Sequence, residues 1–291
     1  MAGKKNFFVK SHGLGNDYLV FDQEGVTFPF DRETIIRLCD VHYGIGSDGI
    51  LVKVPAWEGA DFGLRIYNPD GSEAEKSGNG LRIFAKYLFD YGHTQSSSFS
   101  VSTLGGVVHA EIVERKNKKA SQVKVAMGKA VFNAADIPVA VDTPECVDKE
   151  IEVGGKKFLI NCVSVGNPHC VILTRELKQE EVMTYGPLLE NHPLFPHRIN
   201  VQFAMPVSAS RVDILIWERG AGYTLASGSS SCAVAAVMKK KGLIGEEVDI
   251  HMPGGMLHIA IDNHWNIHMT GPVEEIVSGI LSDEFLISGK K

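Results

Sequence analysis

Two short segments hold the residues best suited to do chemistry, Ser77-Gly78-Asn79-Gly80 and Ser227-Gly228-Ser229-Ser230. Each is a run of small residues directly ahead of an apolar stretch. After the first, Leu81, Phe84, Ala85 and Leu88 fall at i, i+3, i+4 and i+7, and Gly92 stands where a helix C-cap belongs. Such a loop gathers unpaired backbone N–H groups at the positive end of a helix dipole, which suits a bound carboxylate. At the least, Ser77 caps its helix. Two equivalent groups flanking one carbon are also what a two-base racemase or epimerase requires: one removes a proton from one face and the other delivers a proton to the opposite face. With no cofactor as electron sink, the donors holding the carboxylate must also take up its developing charge, and the N–H groups after Gly78 and Gly228 can do so.

The elements that must position these loops repeat. "SGNGLRIFAKYLFDYG" (77–92) is echoed by "SGSSSCAVAAVMKKKG" (227–242), "LGNDYLVFD" (14–22) by "VGNPHCVIL" (165–173), and "VSTLGGVVHAEI" (101–112) by "HMPGGMLHIAI" (251–261). Three paired segments in the same order argue for two similar halves. Between them the chain reads as short alternating strands: 18–22, 49–54, 62–68, 98–103, 107–114, 122–127, 158–165, 170–173, 212–218, 248–252, 257–261 and 265–269. Helices are few, at 31–44 from an Asp31 N-cap, at 178–191, and from about 80 and 231. The fold class is therefore α+β rather than doubly wound. "HGLGNDY" lacks the G-x-G-x-x-G of a dinucleotide loop.

Composition excludes several classes. A net charge of −6 over 291 residues, with no basic block longer than Lys239–Lys241, predicts no nucleic-acid or anionic-membrane partner. No apolar run reaches membrane-spanning length, and "MAGKKNFFVKSHG" has no secretory h-region. Cys39, Cys146, Cys162, Cys170 and Cys232 are odd in number and include no C-x-x-C, which reads as reduced thiols in a cytoplasmic protein without a zinc site. The eleven histidines show no metal spacing, and no Schiff-base lysine for pyridoxal phosphate can be picked out, so neither metal nor cofactor is expected.

The stretches "HGLGNDYLVFD", "GIGSDGILV", "RIYNPDGSEAEKSGNG", "VSVGNPHCVI", "GPLLENHPLFPHRINVQF", "ERGAGYTLASGSSSCA", "MPGG" and "MTGP" run in order from residue 12 to 271. In them the chain resembles the diaminopimelate epimerase family, cofactor-independent enzymes that interconvert LL- and meso-diaminopimelate. The resemblance implies two pseudo-symmetric domains, 1–120 plus 271–291 and 121–270, each a curled, mainly antiparallel sheet around a central helix, with the substrate in a cleft between them. It also implies a homodimer. The family's substrate contacts would fall on Asn16, Asn68, Gly78, Asn79, Asn167, Asn200, Glu218, Arg219, Gly228 and Ser229, with His169 beside the reacting centre. Arg219 can grip a carboxylate and Glu218 an ammonium. Taken singly, each Asn reads equally well as a turn-former, and Glu218–Arg219 as a solvated strand end.

The family's two acid/base residues are cysteines, and here Ser77 and Ser227 stand in their places. An alcohol is a far weaker acid than a helix-start thiol, and serine acts as a base only when a neighbour takes its proton. Cys170 and Cys232 do not fill the vacancy by position, and Lys76 adjoins Ser77, where side chains point apart. Tyr223 also replaces an acidic family residue, and "GSSSC" is bulkier than the family's usual loop. Three readings follow: an isomerase acting on diaminopimelate or a related amino acid; the same fold carrying out a one-base elimination, such as dehydration of a hydroxylated amino acid; and a silent amino-acid-binding protein.

Overall fold

The computed structural model describes residues 4–288, with side chains through 286. Contacts divide the chain into two units, residues 1–125 with 271–291, and residues 126–270. In chain order the elements are β1 (Phe7–Gly13), β2 (Asn16–Asp22), α1 (Arg32–Cys39), β3 (Ile50–Val54), β4 (Phe62–Tyr67), β5 (Glu73–Ala74), α2 (Gly78–Asp90), β6 (Ser98–Thr103), β7 (Gly106–Lys116) and β8 (Lys119–Lys129). There follow β9 (Lys149–Val153), β10 (Lys156–Ser164), β11 (Pro168–Leu173), α3 (Gln179–Glu190), β12 (Asn200–Ser208), β13 (Arg211–Glu218), β14 (Gly222–Thr224), α4 (Gly228–Lys240), β15 (Glu247–Met252), β16 (Gly255–Ile261) and β17 (Asn266–Pro272). The chain then adds β18 (Glu274–Ile280) and α5 (Asp283–Ser288).

The first unit orders its strands β18-β1-β2-β3-β4-β6-β7-β8, with β5 hooked onto β4; β2 with β3 and β4 with β6 run parallel, and the other pairs antiparallel. The second orders them β9-β10-β11-β12-β13-β15-β16-β17, with β14 hooked onto β13, and is parallel at β11 with β12 and β13 with β15. From β1 to β8 and from β10 to β17 the two plans are the same, so the echoes in the sequence mark a repeated topology. In each unit the sheet packs on its own helix: α2 on β1, β2 and β7, and α4 on β10, β11, β12, β15 and β16.

Helix α2 is less amphipathic than its sequence suggests. In α2 the predicted stripe Leu81, Phe84, Ala85 and Leu88 is buried, but Arg82 and Lys86 are buried as well. Burial of charge demands partners, and both have them. Arg82 donates to Asn79 Oδ1, and Lys86 Nζ lies 2.7 Å from Asp90 Oδ2 and 2.7 Å from the Ala120 carbonyl. Gly92 ends the helix in the left-handed region, φ 77°, as its position predicted. The predicted 31–44 helix is shorter. Asp31 caps it by accepting from the Thr34 N–H, but Asp40 leaves helical geometry and its carboxylate takes the His42 and Tyr43 N–H groups, turning the chain after Cys39. Strands β1, β5, β9, β12, β14 and β18 and helix α5 lie outside the predicted set. No helix among the described residues is long and apolar enough to cross a membrane.

Candidate active site

In the first unit, Ser77 is the N-cap of α2: its backbone is extended, and its Oγ accepts the Gly80 N–H at 3.0 Å. Leu81 N–H reaches the Ser77 carbonyl, and no described bond takes the N–H of Gly78 or Asn79. Those two donors point from the positive end of the helix, the arrangement expected of an anion site. Tyr18, on β2, brings its phenol oxygen to 3.1 Å from Ser77 Oγ.

The flanking amides are held in one orientation by a directed chain. Arg82 can only donate, so Asn79 presents Oδ1 to it at 2.9 Å. Asn79 Nδ2 then donates to Asn16 Oδ1 at 3.0 Å, and Asn16 Nδ2 donates to the Asp48 carboxylate at 2.9 Å. A cation at one end and an anion at the other fix both amides, leaving one N–H on each outside the chain. Asp48 is held in turn by the Asp17 N–H, and Asp17 by the Asp48 N–H and by Lys10 at 3.0 Å. Gly13 leaves room for this arrangement, because a Cβ at that position would lie 2.9 Å from the Arg82 guanidinium, which would have to shift. Asn68 is placed differently. Its side chain donates to Ser72 Oγ at 3.0 Å within its own turn and has no bond to this chain.

In the second unit, Ser227 caps α4 in the same way. Its Oγ lies 3.4 Å from the Ser230 N–H, its carbonyl accepts from Ser231, and no described bond takes the N–H of Gly228 or Ser229. Glu218, at the end of β13, is largely removed from water. Burial pushes its carboxyl above the usual range, and the hydroxyls of Ser227 and Thr224 that face it pull the other way. Asn200 ties two segments together, donating from Nδ2 to the Pro168 carbonyl at 2.9 Å and accepting the Arg219 N–H at 3.0 Å. The Arg219 guanidinium reaches the His197 carbonyl at 3.1 Å.

His169 is fully buried, with Nε2 at 2.9 Å from Asn167 Oδ1. Its Nδ1 and the Oε1 of Gln202 are buried without hydrogen-bond partners among the described residues. Burial first, and the charge of Arg219 second, lower its pKa to about 3 against an opposing contribution from Gln202. The imidazole is therefore neutral at pH 7. Tyr223 packs into the apolar core of the second unit beside Trp217. All five cysteines are buried, Cys170 and Cys232 included.

Thus Asn16, Ser77, Gly78 and Asn79 come together in one cluster of the first unit, and Asn167, His169, Asn200, Glu218, Arg219, Ser227, Gly228 and Ser229 belong to the second unit. Sequence reasoning missed Tyr18, Asp48, Arg82, Gln202 and Glu190. Glu190 is a buried carboxylate that accepts from Trp217 Nε1 at 2.7 Å, Gly220 N at 2.9 Å and Arg198 at 3.1 Å, and so holds the turn that carries Arg219. Asp48 and Glu190 lie inside the quoted motif stretches, but their roles arise from tertiary contact alone.

The family model for diaminopimelate epimerase matches residues 8–133 and 161–276. The chain is 47% identical over 277 residues to diaminopimelate epimerase 2 of a Nostoc species, covering 95% of this chain and 96% of that one. It is 40% identical over 275 residues to the diaminopimelate epimerase of Carboxydothermus hydrogenoformans, covering 94% and 98%. Among solved structures it resembles a hydroxyproline epimerase from Agrobacterium vitis, with TM-score 0.72, 14% identity and coverage of 97% and 94%. It also resembles a PhzF-family phenazine biosynthesis protein from Bacillus anthracis, with TM-score 0.67, 14% identity and coverage of 96% and 99%. At such identities these structures speak to the fold alone.

Proposed function

We propose a function from one premise: the chain belongs to the diaminopimelate epimerase family. It is an epimerase-like isomerase. Our reading is that it interconverts LL- and meso-diaminopimelate, or a closely related amino acid, without pyridoxal phosphate, by proton transfer at two faces of one α-carbon. Ser77 and Ser227 are the groups at those faces. The free N–H groups of Gly78, Asn79, Gly228 and Ser229 receive the reacting carboxylate and stabilise the charge that develops as the α-proton leaves. Asn16, Asn68, Asn79, Asn167, Asn200 and neutral His169 supply donors and acceptors, and Arg219 holds a carboxylate.

Serine needs an acceptor for its proton, and Glu218 faces Ser227. As the α-proton passes to Ser227 Oγ, the serine's own proton passes to the Glu218 carboxylate, whose raised pKa makes it a stronger base than an ordinary glutamate. Its second oxygen remains for the substrate ammonium. The proposed domains are 1–120 with 271–291 and 121–270, and the protein acts in the cytoplasm as a homodimer of twice the monomer mass, which light scattering would measure. What carries the reading is the repeated serine-capped helix start with two open N–H groups, in a chain matched to the family over most of its length.

The test is incubation with LL-diaminopimelate in deuterium oxide, followed by NMR at the α-proton. Exchange with inversion is the expected result. Release of a keto acid from a hydroxylated amino acid would replace this reading with elimination, and binding without exchange would leave a binding protein.

A further inference from the structure

Ser77 Oγ has two described polar neighbours, and they differ in kind. The Gly80 N–H, at 3.0 Å, can only donate. The Tyr18 phenol, at 3.1 Å, can donate or accept when neutral and can take up a proton when ionised. Of the two, only Tyr18 can take a proton from Ser77 and return it. The two carboxylates of the neighbouring hydrogen-bond chain, Asp17 and Asp48, are engaged with Lys10 and the Asn16 amide.

We infer that Tyr18 is the proton partner of Ser77, doing for this hydroxyl what Glu218 does for Ser227. The inference rests on the epimerase reading. In the abstraction step the α-proton forms a bond to Ser77 Oγ while the Ser77 O–H bond breaks and its proton passes to the phenolate of Tyr18. The electron pair of the C–H bond goes into the substrate carboxylate; the step starts from ionised Tyr18, whose own proton has passed to solvent. Return of the proton along the same path completes inversion from the other direction. Tyr18 acts through Ser77 and is a positioning residue of the relay.

The chemistry of the exchange favours this partner. A phenol has an ordinary pKa near 10 against about 8.5 for a thiol, so the relay recovers most of the acidity that replacing cysteine by an alcohol gives up. The ring is also fixed. It is buried, and it packs so closely on Gly49 that a Cβ there would lie 2.7 Å from its Cε1 and 2.6 Å from the Tyr67 carbonyl. The two serines thus have unlike partners, a phenol and a carboxylate, and the two faces of the reaction should respond to different substitutions.

Tyr18→Phe removes one oxygen and keeps the packing. Exchange of the α-proton in deuterium oxide is followed separately from LL- and meso-diaminopimelate, with binding measured by calorimetry. The expected result is binding within about twofold of the parent, loss of inversion in both directions, and exchange slowed about 10²–10⁴-fold for one epimer only. Exchange from the epimer that faces Ser227 is retained, which a general loss of structure would not spare. Ser77→Ala should slow exchange of the same epimer, and adding Tyr18→Phe to it should cost little more, because one acts through the other. Equal rates in parent and Tyr18→Phe, equal slowing of both epimers, or additive effects in the double variant would overturn the inference while leaving epimerisation in place. A parent protein inert towards both epimers would overturn the function itself, and this inference with it.

Discussion

His169→Gln should flatten the acid side of the stability profile. In the folded protein the imidazole is fully buried beside Asn167, and burial with the Arg219 charge holds its pKa at about 3 instead of 6.5. Unfolded chains therefore bind one more proton than folded ones at every pH between these values, so stability falls as pH drops through 6.5 and goes on falling until about pH 3. Each pH unit in that window removes about 1.4 kcal/mol, and the fall from pH 7 to pH 5 comes to about 2 kcal/mol. Glu218 has the opposite sign. Its folded pKa is raised, so its contribution is present at low pH and is lost as pH rises through that value. Both proteins carry Glu218, so it cancels in the difference between parent and variant. Urea unfolding followed by circular dichroism at pH 7, 6 and 5 gives that difference directly. The parent should lose about 2 kcal/mol more than the variant over this range. Parallel losses would mean that His169 is protonated or solvated in the folded protein, and the account of a neutral imidazole would be wrong.

Asp90→Asn should cost about 3–5 kcal/mol in the same assay, because it strands the buried Lys86 cation beside a neutral group, and Lys86→Met added to it should recover part of the loss. Equal stability of the single and double variants would refute that. Gly186→Ala should cost about 1–3 kcal/mol, since the added Cβ would lie 2.6 Å from Trp217 Cγ. The displaced indole should release Glu190, so substrate affinity should fall as well; an unchanged affinity would separate Glu190 from the Arg219 turn.

The helix starts were readable because capping is local: Ser77 and Ser227 announce themselves by the small residues after them and the apolar run beyond, and both do cap. The repeat was readable for the same reason, and the topology follows it from β1 to β8 and from β10 to β17. What escaped was made by partners distant in sequence. "FFVKSHG" became β1 only through its pairing with β2 and β18, and its lysine obscured the pattern. Arg82 and Lys86 sat where a surface face was expected because Asn79, Asp90 and the Ala120 carbonyl receive them inside. Tyr18 lies fifty-nine positions from Ser77, and no spacing rule connects them.

The five buried thiols have a consequence for how the molecule meets reagents. Burial raises Cys39 to about 11, and Cys146 and Cys162 are held far above the ordinary range, Cys146 mainly through its contact with Cys162. Thiolate is the form that alkylators and peroxide attack, and the residues at the helix starts carry hydroxyls rather than thiols. Iodoacetamide or peroxide should leave turnover standing in this protein at doses that silence a cysteine-dependent isomerase.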